Sequence, residues 1–153
     1  MTVFERDFDS LAIGDRFTTQ ARAVSESDIT AFAALTGDTH PQHVDAAWAG
    51  DSRFGEQIAH GLLVLSFASG LMPFDPERVI ALRSVREAVF KAPVKIGDEV
   101  QVAGEISALR EIDDLAGLVE CRWRVLNQDG KLVVRATVEL VWRRVLVPEP
   151  VLI

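Results

Sequence analysis

The sequence predicts an α+β fold in which a long antiparallel sheet wraps around one central apolar helix. Residues 61–72, GLLVLSFASGLM, are apolar nearly all round, with only small hydroxyl residues interspersed; a helix with that pattern is enclosed on every side. After Asp75 the chain changes to three long alternating runs, with turn signals at IGD, EIDD and NQDG, which is how consecutive antiparallel strands read. A lone apolar helix and a one-sided sheet each need cover, and each satisfies the other by packing face to face.

Taken in order, the opening MTVFERDFDS carries acidic residues and lacks the apolar stretch of a secretory signal, so the expectation is a cytoplasmic protein. Ser25 followed by Asp28 resembles a capping box, and Ile29, Phe32, Ala33 and Leu35 keep one apolar stripe on a helix that Gly37 ends. The polar stretch DTHPQHVD reads as an ordered loop leading to a short helix around 46–49. Pro73 terminates the apolar helix, and the apolar stretch 62–74 is too short to span a bilayer. In the last strand, Leu132, Val134, Ala136, Val138, Leu140 and Trp142 share one face and Arg135, Thr137, Glu139 and Arg143 the other. Val119, Cys121, Trp123 and Val125 repeat the pattern one strand earlier. No repeat or linker divides the chain, so 1–153 is read as a single domain whose terminal PEP segment is a simple tail.

Charge and cysteine content narrow the function. A formal net charge of -7 argues against a nucleic-acid partner, which needs a basic face. The single cysteine, Cys121, cannot form an internal disulfide; it reads as a small buried hydrophobe and points to a reducing compartment.

The chemistry concentrates on 37–45. Asp38, His43 and Asp45 lie within eight residues on a loop opened by Gly37 and stiffened by Pro41, which lets a carboxylate and an imidazole face one space. Near neutral pH the two hold different charge states, which suits adding water to a substrate and removing it. A purely structural role stays open, with Asp38 capping a turn and His43 a satisfied loop residue. A metal set of His40, His43 and Asp45 lacks zinc-like ligand spacing, and no metal is expected. His60 and Gly61 immediately precede the apolar helix, so the Gly61 amide stands at the positive end of its dipole and is suited to holding an oxyanion. Close packing for Gly61 and a structural hydrogen bond for His60 are the plain alternatives.

GDTHPQHVD followed by AHGLLVLSFASG resembles the hydratase motif of MaoC-like dehydratases and (R)-specific enoyl-CoA hydratases. The common pattern Gly-Asp-x-Asn-Pro-x-His-x-Asp is matched at Gly37, Asp38, Pro41, His43 and Asp45, with His40 where asparagine usually stands. The resemblance extends over most of the chain, RSVREAVFKAPVKIGDEV included. It implies a hot-dog fold paired as a dimer, with itself or with a second chain, and interconversion of trans-2-enoyl and (R)-3-hydroxyacyl thioesters of coenzyme A or acyl carrier protein. It further implies that Asp38 and His43 are the acid/base pair, that Gly61 supplies the oxyanion amide, and that Ser69 supports by hydrogen bonding, with Ser66 as the alternative. No cofactor is needed, because the enoyl thioester is already activated. Arg78, Arg83, Arg86, Lys91 and Lys95, opposed in sequence only by Glu77 and Glu87, form a basic stretch suited to coenzyme A phosphates or an acidic carrier. Arg83, Arg86, Lys91 and His40 are thus the candidate substrate contacts, with ordinary solvated strand positions as the alternative for each basic residue. Two other activities stay open: thioester hydrolysis, and a non-catalytic acyl-binding or dimer-partner subunit.

Overall fold

A computed structural model describes residues 1–145; the PEP segment lies outside them. Two 3₁₀ turns, Val3–Glu5 and Phe8–Ser10, precede the short strands β1 (Arg16–Thr18) and β2 (Arg22–Ala23). Four helices follow: α1 (Glu26–Thr36), α2 (Pro41–Val44), α3 (Ala46–Gly50) and α4 (Gly61–Leu71). The chain then forms the long strands β3 (Val79–Phe90), β4 (Glu99–Glu111), β5 (Ala116–Leu126) and β6 (Leu132–Arg143). The sheet runs β1-β4-β5-β6-β3, antiparallel throughout, with β2 also on β4. The α+β, hot-dog architecture expected from the sequence is the one observed.

The inner faces of β4, β5 and β6 place Val102, Ile106, Val119, Trp123, Val138 and Leu140 against Leu63, Val64 and Ala68 of α4, all buried. Alternation along β5 and β6 creates this surface, since each inward residue is followed by one facing out. Cys121 is buried within it, and desolvation pushes its thiol up to about 12, so it acts as a small apolar side chain rather than a nucleophile.

The capping box of α1 forms as expected: the Ser25 hydroxyl accepts from the Asp28 amide at 3.1 Å and the Asp28 carboxylate from the Ser25 amide at 2.9 Å. Gly37 ends the helix at φ 81°, in the left-handed region. The stretch read as a loop instead contains a helical turn, α2. Pro41 at its start needs no hydrogen-bond partner for a missing N–H, and His40 Nδ1 accepts from the Gln42 amide at 3.1 Å.

Two expectations need correction. Helix α4 is not enclosed on every side: Leu63, Val64 and Ala68 face the sheet, whereas Leu62 is 62% exposed and Ser66 and Gly70 are open. An apolar composition all round therefore marks two apolar surfaces, of which the chain covers one. Four long strands follow Asp75, not three. Register shifts at Val79/Ala81, Leu82/Ser84 and Arg86/Val89 interrupt β3, and Glu87 takes φ 51°. Bulges of that kind break the period of two on which sequence patterning relies. No helix of the described residues is long and apolar enough to cross a membrane.

The N-terminal segment closes one end of the core. Phe4 stacks on Trp142 with centroids 5.7 Å apart, and Trp142 Nε1–H donates to the Arg6 carbonyl at 2.8 Å. Gly104 and Gly117 lie under the rings of Phe17 and Phe8, with no space for a Cβ. Trp142 is fully buried, so Trp142→Ala should cost about 3–5 kcal/mol of unfolding free energy, read as a lower denaturant midpoint with little change in slope; an unchanged midpoint would contradict this packing.

Candidate active site

Residues 58–59 join the 38–45 loop to the sheet. The Ile58 amide donates to the Gln42 carbonyl at 3.1 Å, the Ala59 amide to the Val94 carbonyl at 2.7 Å, and Ile58 bridges Lys95. This short extended segment leads directly into α4, so the 38–45 loop and the helix N-terminus share one wall. Between them lies a cavity of about 430 Å³. Asp38, Gln42, His43, His60 and Gly61 line it, together with Phe54, Leu62, Phe90, Lys91 and Pro93.

His43 is only 5% exposed. Its Nδ1 lies 2.7 Å from the Ile58 carbonyl; a carbonyl only accepts, so Nδ1 carries the proton and Nε2 presents its lone pair. Gln42 Nε2 stands 3.3 Å from that lone pair. Burial holds the imidazole below its ordinary pKa; the bond to Ile58 opposes the shift, His60 and His40 reinforce it, and Asp38 opposes it. His43 is thus neutral and basic at neutral pH.

Asp38, His43 and His60 each bring one ligating atom within 4.8 Å of the others, which identifies a metal candidate different from the His40, His43 and Asp45 set. Its geometry suits a metal poorly. The His43 and His60 rings stack at 3.9 Å with planes 24° apart, so their in-plane lone pairs run side by side instead of converging as tetrahedral ligation requires. Asp45 is occupied in accepting from the Trp48 amide at 3.0 Å. For a water, by contrast, two acceptors less than 5 Å apart are within reach of both its hydrogens at ordinary hydrogen-bond lengths.

Gly61 opens α4, with its amide among the unpaired donors of the first turn. A Cβ on it would stand 2.6 Å from the Phe90 ring, so this glycine is set by close packing on an aromatic. Ser69 lies two turns further on, in a neighbouring apolar groove with Phe32, Leu65 and Leu82, not in the lining of the Asp38 cavity. The Ser66 hydroxyl is turned back to the Leu62 carbonyl at 2.7 Å.

The basic stretch is largely spoken for by residues distant in sequence. Arg86 pairs with Glu120 and Glu139, Lys95 with Glu56 at 3.5 Å, and Arg78 donates to the Glu5 carbonyl at 3.2 Å. Glu77 and Glu87 are therefore not the only carboxylates opposing these cations, because the sheet brings β6 beside β3 and β5 one strand further on. Arg86 is thus engaged by two carboxylates and lies outside the cavity lining, as does His40, which caps α2 beside Trp48. Arg83 is exposed on β3 and also outside it. Lys91 alone of the basic candidates lines the cavity. Phe90 and Phe54 carried no signal in the sequence, and Gln42 only its place beside His43.

Known proteins resemble this chain over most of its length. A family model described as a MaoC like domain matches residues 8–122. An (R)-specific enoyl-CoA hydratase of Aeromonas caviae is 35% identical over 82% of this chain and 90% of its own. Among solved structures, a MaoC-like dehydratase from Rhodospirillum rubrum aligns with a TM-score of 0.82 at 29% identity, covering 92% of this chain and 99% of that one. A protein of Archaeoglobus described as a monoamine oxidase regulatory protein aligns with a TM-score of 0.86 at 35% identity, over 92% and 96%.

The depressed pKa of His43 has a consequence for stability. An unfolded chain takes up a proton on this histidine near 6.5, whereas the folded chain resists it to a lower pH, so acidification favours unfolding. The contribution is fully present above about 6.5 and is lost as the pH falls from there through the folded value. Thermal midpoints of wild type and His43→Gln, compared between neutral and mildly acidic buffer, should show the wild type losing more; equal losses would contradict the buried neutral imidazole.

Proposed function

The chain belongs to the MaoC-like domain family, and from that premise we propose that residues 1–153 act as one hot-dog domain that hydrates trans-2-enoyl thioesters to (R)-3-hydroxyacyl thioesters and catalyses the reverse dehydration. The observation that carries this reading is the shared cavity: Asp38 and His43 both line the space at the start of α4, and the unprotonated nitrogen of His43 is Nε2, whose partner is the Gln42 side-chain amide at 3.3 Å. The name of the Aeromonas caviae relative, an (R)-specific enoyl-CoA hydratase, supports the reaction and its stereochemistry.

In the hydration direction, the thioester carbonyl accepts from the Gly61 amide, whose position at a helix N-terminus favours the negative charge that develops on that oxygen. A water held between Asp38 and His43 adds through its oxygen to C3 while His43 Nε2 takes one of its protons. Asp38 accepts a hydrogen bond from the other hydrogen and offsets the charge of the imidazolium. The enolate then collapses, and His43 returns its proton to C2, leaving the enzyme unchanged. Lys91, in the cavity lining, attracts the phosphates of a coenzyme A or carrier-protein substrate. No step requires a cofactor.

The covered and uncovered surfaces favour pairing of two copies. Strand β3 lies at the sheet edge with Ile80, Leu82 and Val85 between 41% and 52% exposed, next to exposed Leu62 on α4. An apolar edge strand left open is a template for another strand, and a second copy supplies one of the same sequence.

Loss of enoyl-thioester ultraviolet absorbance, followed with coenzyme A and carrier-protein substrates, tests the reaction. Asp38→Asn and His43→Gln should each lower kcat by about 10²- to 10⁴-fold; rates equal to wild type in both would contradict the assigned roles. By light scattering, the wild type should have twice the 16.8 kDa chain mass and Val85→Glu should shift toward the single-chain mass, whereas a monomeric wild type would contradict pairing through β3.

A further inference from the structure

His60 has no part in the chemistry just described, yet it is the most enclosed ionisable group of the cavity, at 2% exposure. It touches each component of the site. Its Nε2 lies 2.9 Å from the Asp38 carbonyl, and because that carbonyl only accepts, Nε2 carries the proton. Its ring lies flat on His43 at 3.9 Å and meets Phe32 of α1 edge-on at 4.9 Å. Its backbone is the N-cap of α4, one residue before Gly61.

Resting on the hydratase reading above, we infer that His60 is a positioning residue that fixes Asp38 and His43 relative to each other and to the Gly61 amide. Asp38 stands on an exposed segment and its side chain accepts only a 3.4 Å bond from the His40 amide, so little else ties it to the helix. The bond from His60 anchors the Asp38 backbone to the N-cap of α4, and the stacked ring prevents His43 from tilting off the Ile58 carbonyl.

The arrangement also bears on the proton. His60 Nδ1 is buried and lacks a hydrogen-bond partner, so the surroundings satisfy the Nε2–H tautomer alone. The ionisable groups lining the cavity are Asp38, His43, His60 and Lys91, with His40 beyond the loop at a ring separation of 6.2 Å from His43. Of these, His60 and His40 oppose a charge on His43 and Asp38 favours it. Removing the His60 ring therefore eases protonation of His43, both by removing that opposition and, where the replacement is smaller, by admitting water.

Two variants separate the contacts: His60→Gln keeps an amide donor for the Asp38 carbonyl but loses the stack, and His60→Phe keeps the stack but loses the donor. Each should lower kcat by about tenfold or more with KM within roughly threefold. In His60→Gln the acidic limb of the kcat profile should move up by about half a pH unit or more, which a purely structural role would leave in place. If both variants keep the wild-type kcat and acidic limb while Asp38→Asn is inactive, the inference is overturned and the hydratase reading stands; if Asp38→Asn is itself fully active, that reading falls first. The wild-type protein offers a test independent of the variants' folding. Nitrogen-15 ring shifts should show the proton on His60 Nε2, and a proton on Nδ1 with Nε2 bare would overturn the assignment.

Discussion

His43 donates its Nδ1 proton to the Ile58 carbonyl across 2.7 Å, and since both groups are withdrawn from water, neither has a substitute for the other. The rest of the site depends on this bond. It selects the tautomer whose Nε2 faces the cavity, and it ties α2 to the short extended segment that the Gln42 carbonyl and the Val94 carbonyl hold from either side. That segment delivers the chain into α4 at a fixed place, so Asp38, His43 and the helix N-terminus are parts of one backbone arrangement and not separate acquisitions.

Burial sets the character of the imidazole. A histidine in water is half protonated near 6.5; with its surface removed from solvent, the charged form is disfavoured and the base remains available at neutral pH. Phe90 contributes from the other side. Packed so closely on Gly61 that no Cβ fits, it brings an apolar ring beside the helix terminus, where a lower local dielectric strengthens any hydrogen bond the terminal amides make. Half of Phe90 is nonetheless exposed, as are Leu62 and the apolar residues of β3, so the apolar surface around the cavity continues beyond what one chain covers.

Much of this was legible in the sequence, for specific reasons. Ser25, Asp28 and Gly37 act through their own backbone neighbourhood, so α1 could be bounded from local chemistry. Alternation in β5 and β6 survives because both strands are interior and paired on two sides. The alternation of β3 was blurred by its bulges, and the exposed face of α4 was hidden by a composition that does not distinguish surfaces covered by the same chain from surfaces left open. Asp38, His43 and Gly61 were legible because loop chemistry and a helix start are local signals. The partners of Arg86 were not, since Glu120 and Glu139 meet it only through sheet register. The stacking of His60 on His43 depends on two segments seventeen residues apart coming together, which no spacing rule encodes. His40 has a physical explanation only in three dimensions, where imidazole Nδ1 caps α2.

The central claim is that one face of one cavity delivers both the hydroxyl and the proton, through Asp38 and His43. Hydration of a trans-2-enoyl thioester in heavy water, with the product's configuration at C2 and C3 determined by NMR, tests it most directly. Delivery from the same pair predicts an (R)-3-hydroxyacyl product with deuterium at C2 on the same face as the new hydroxyl. Deuterium on the opposite face, or distributed over both, would contradict the account.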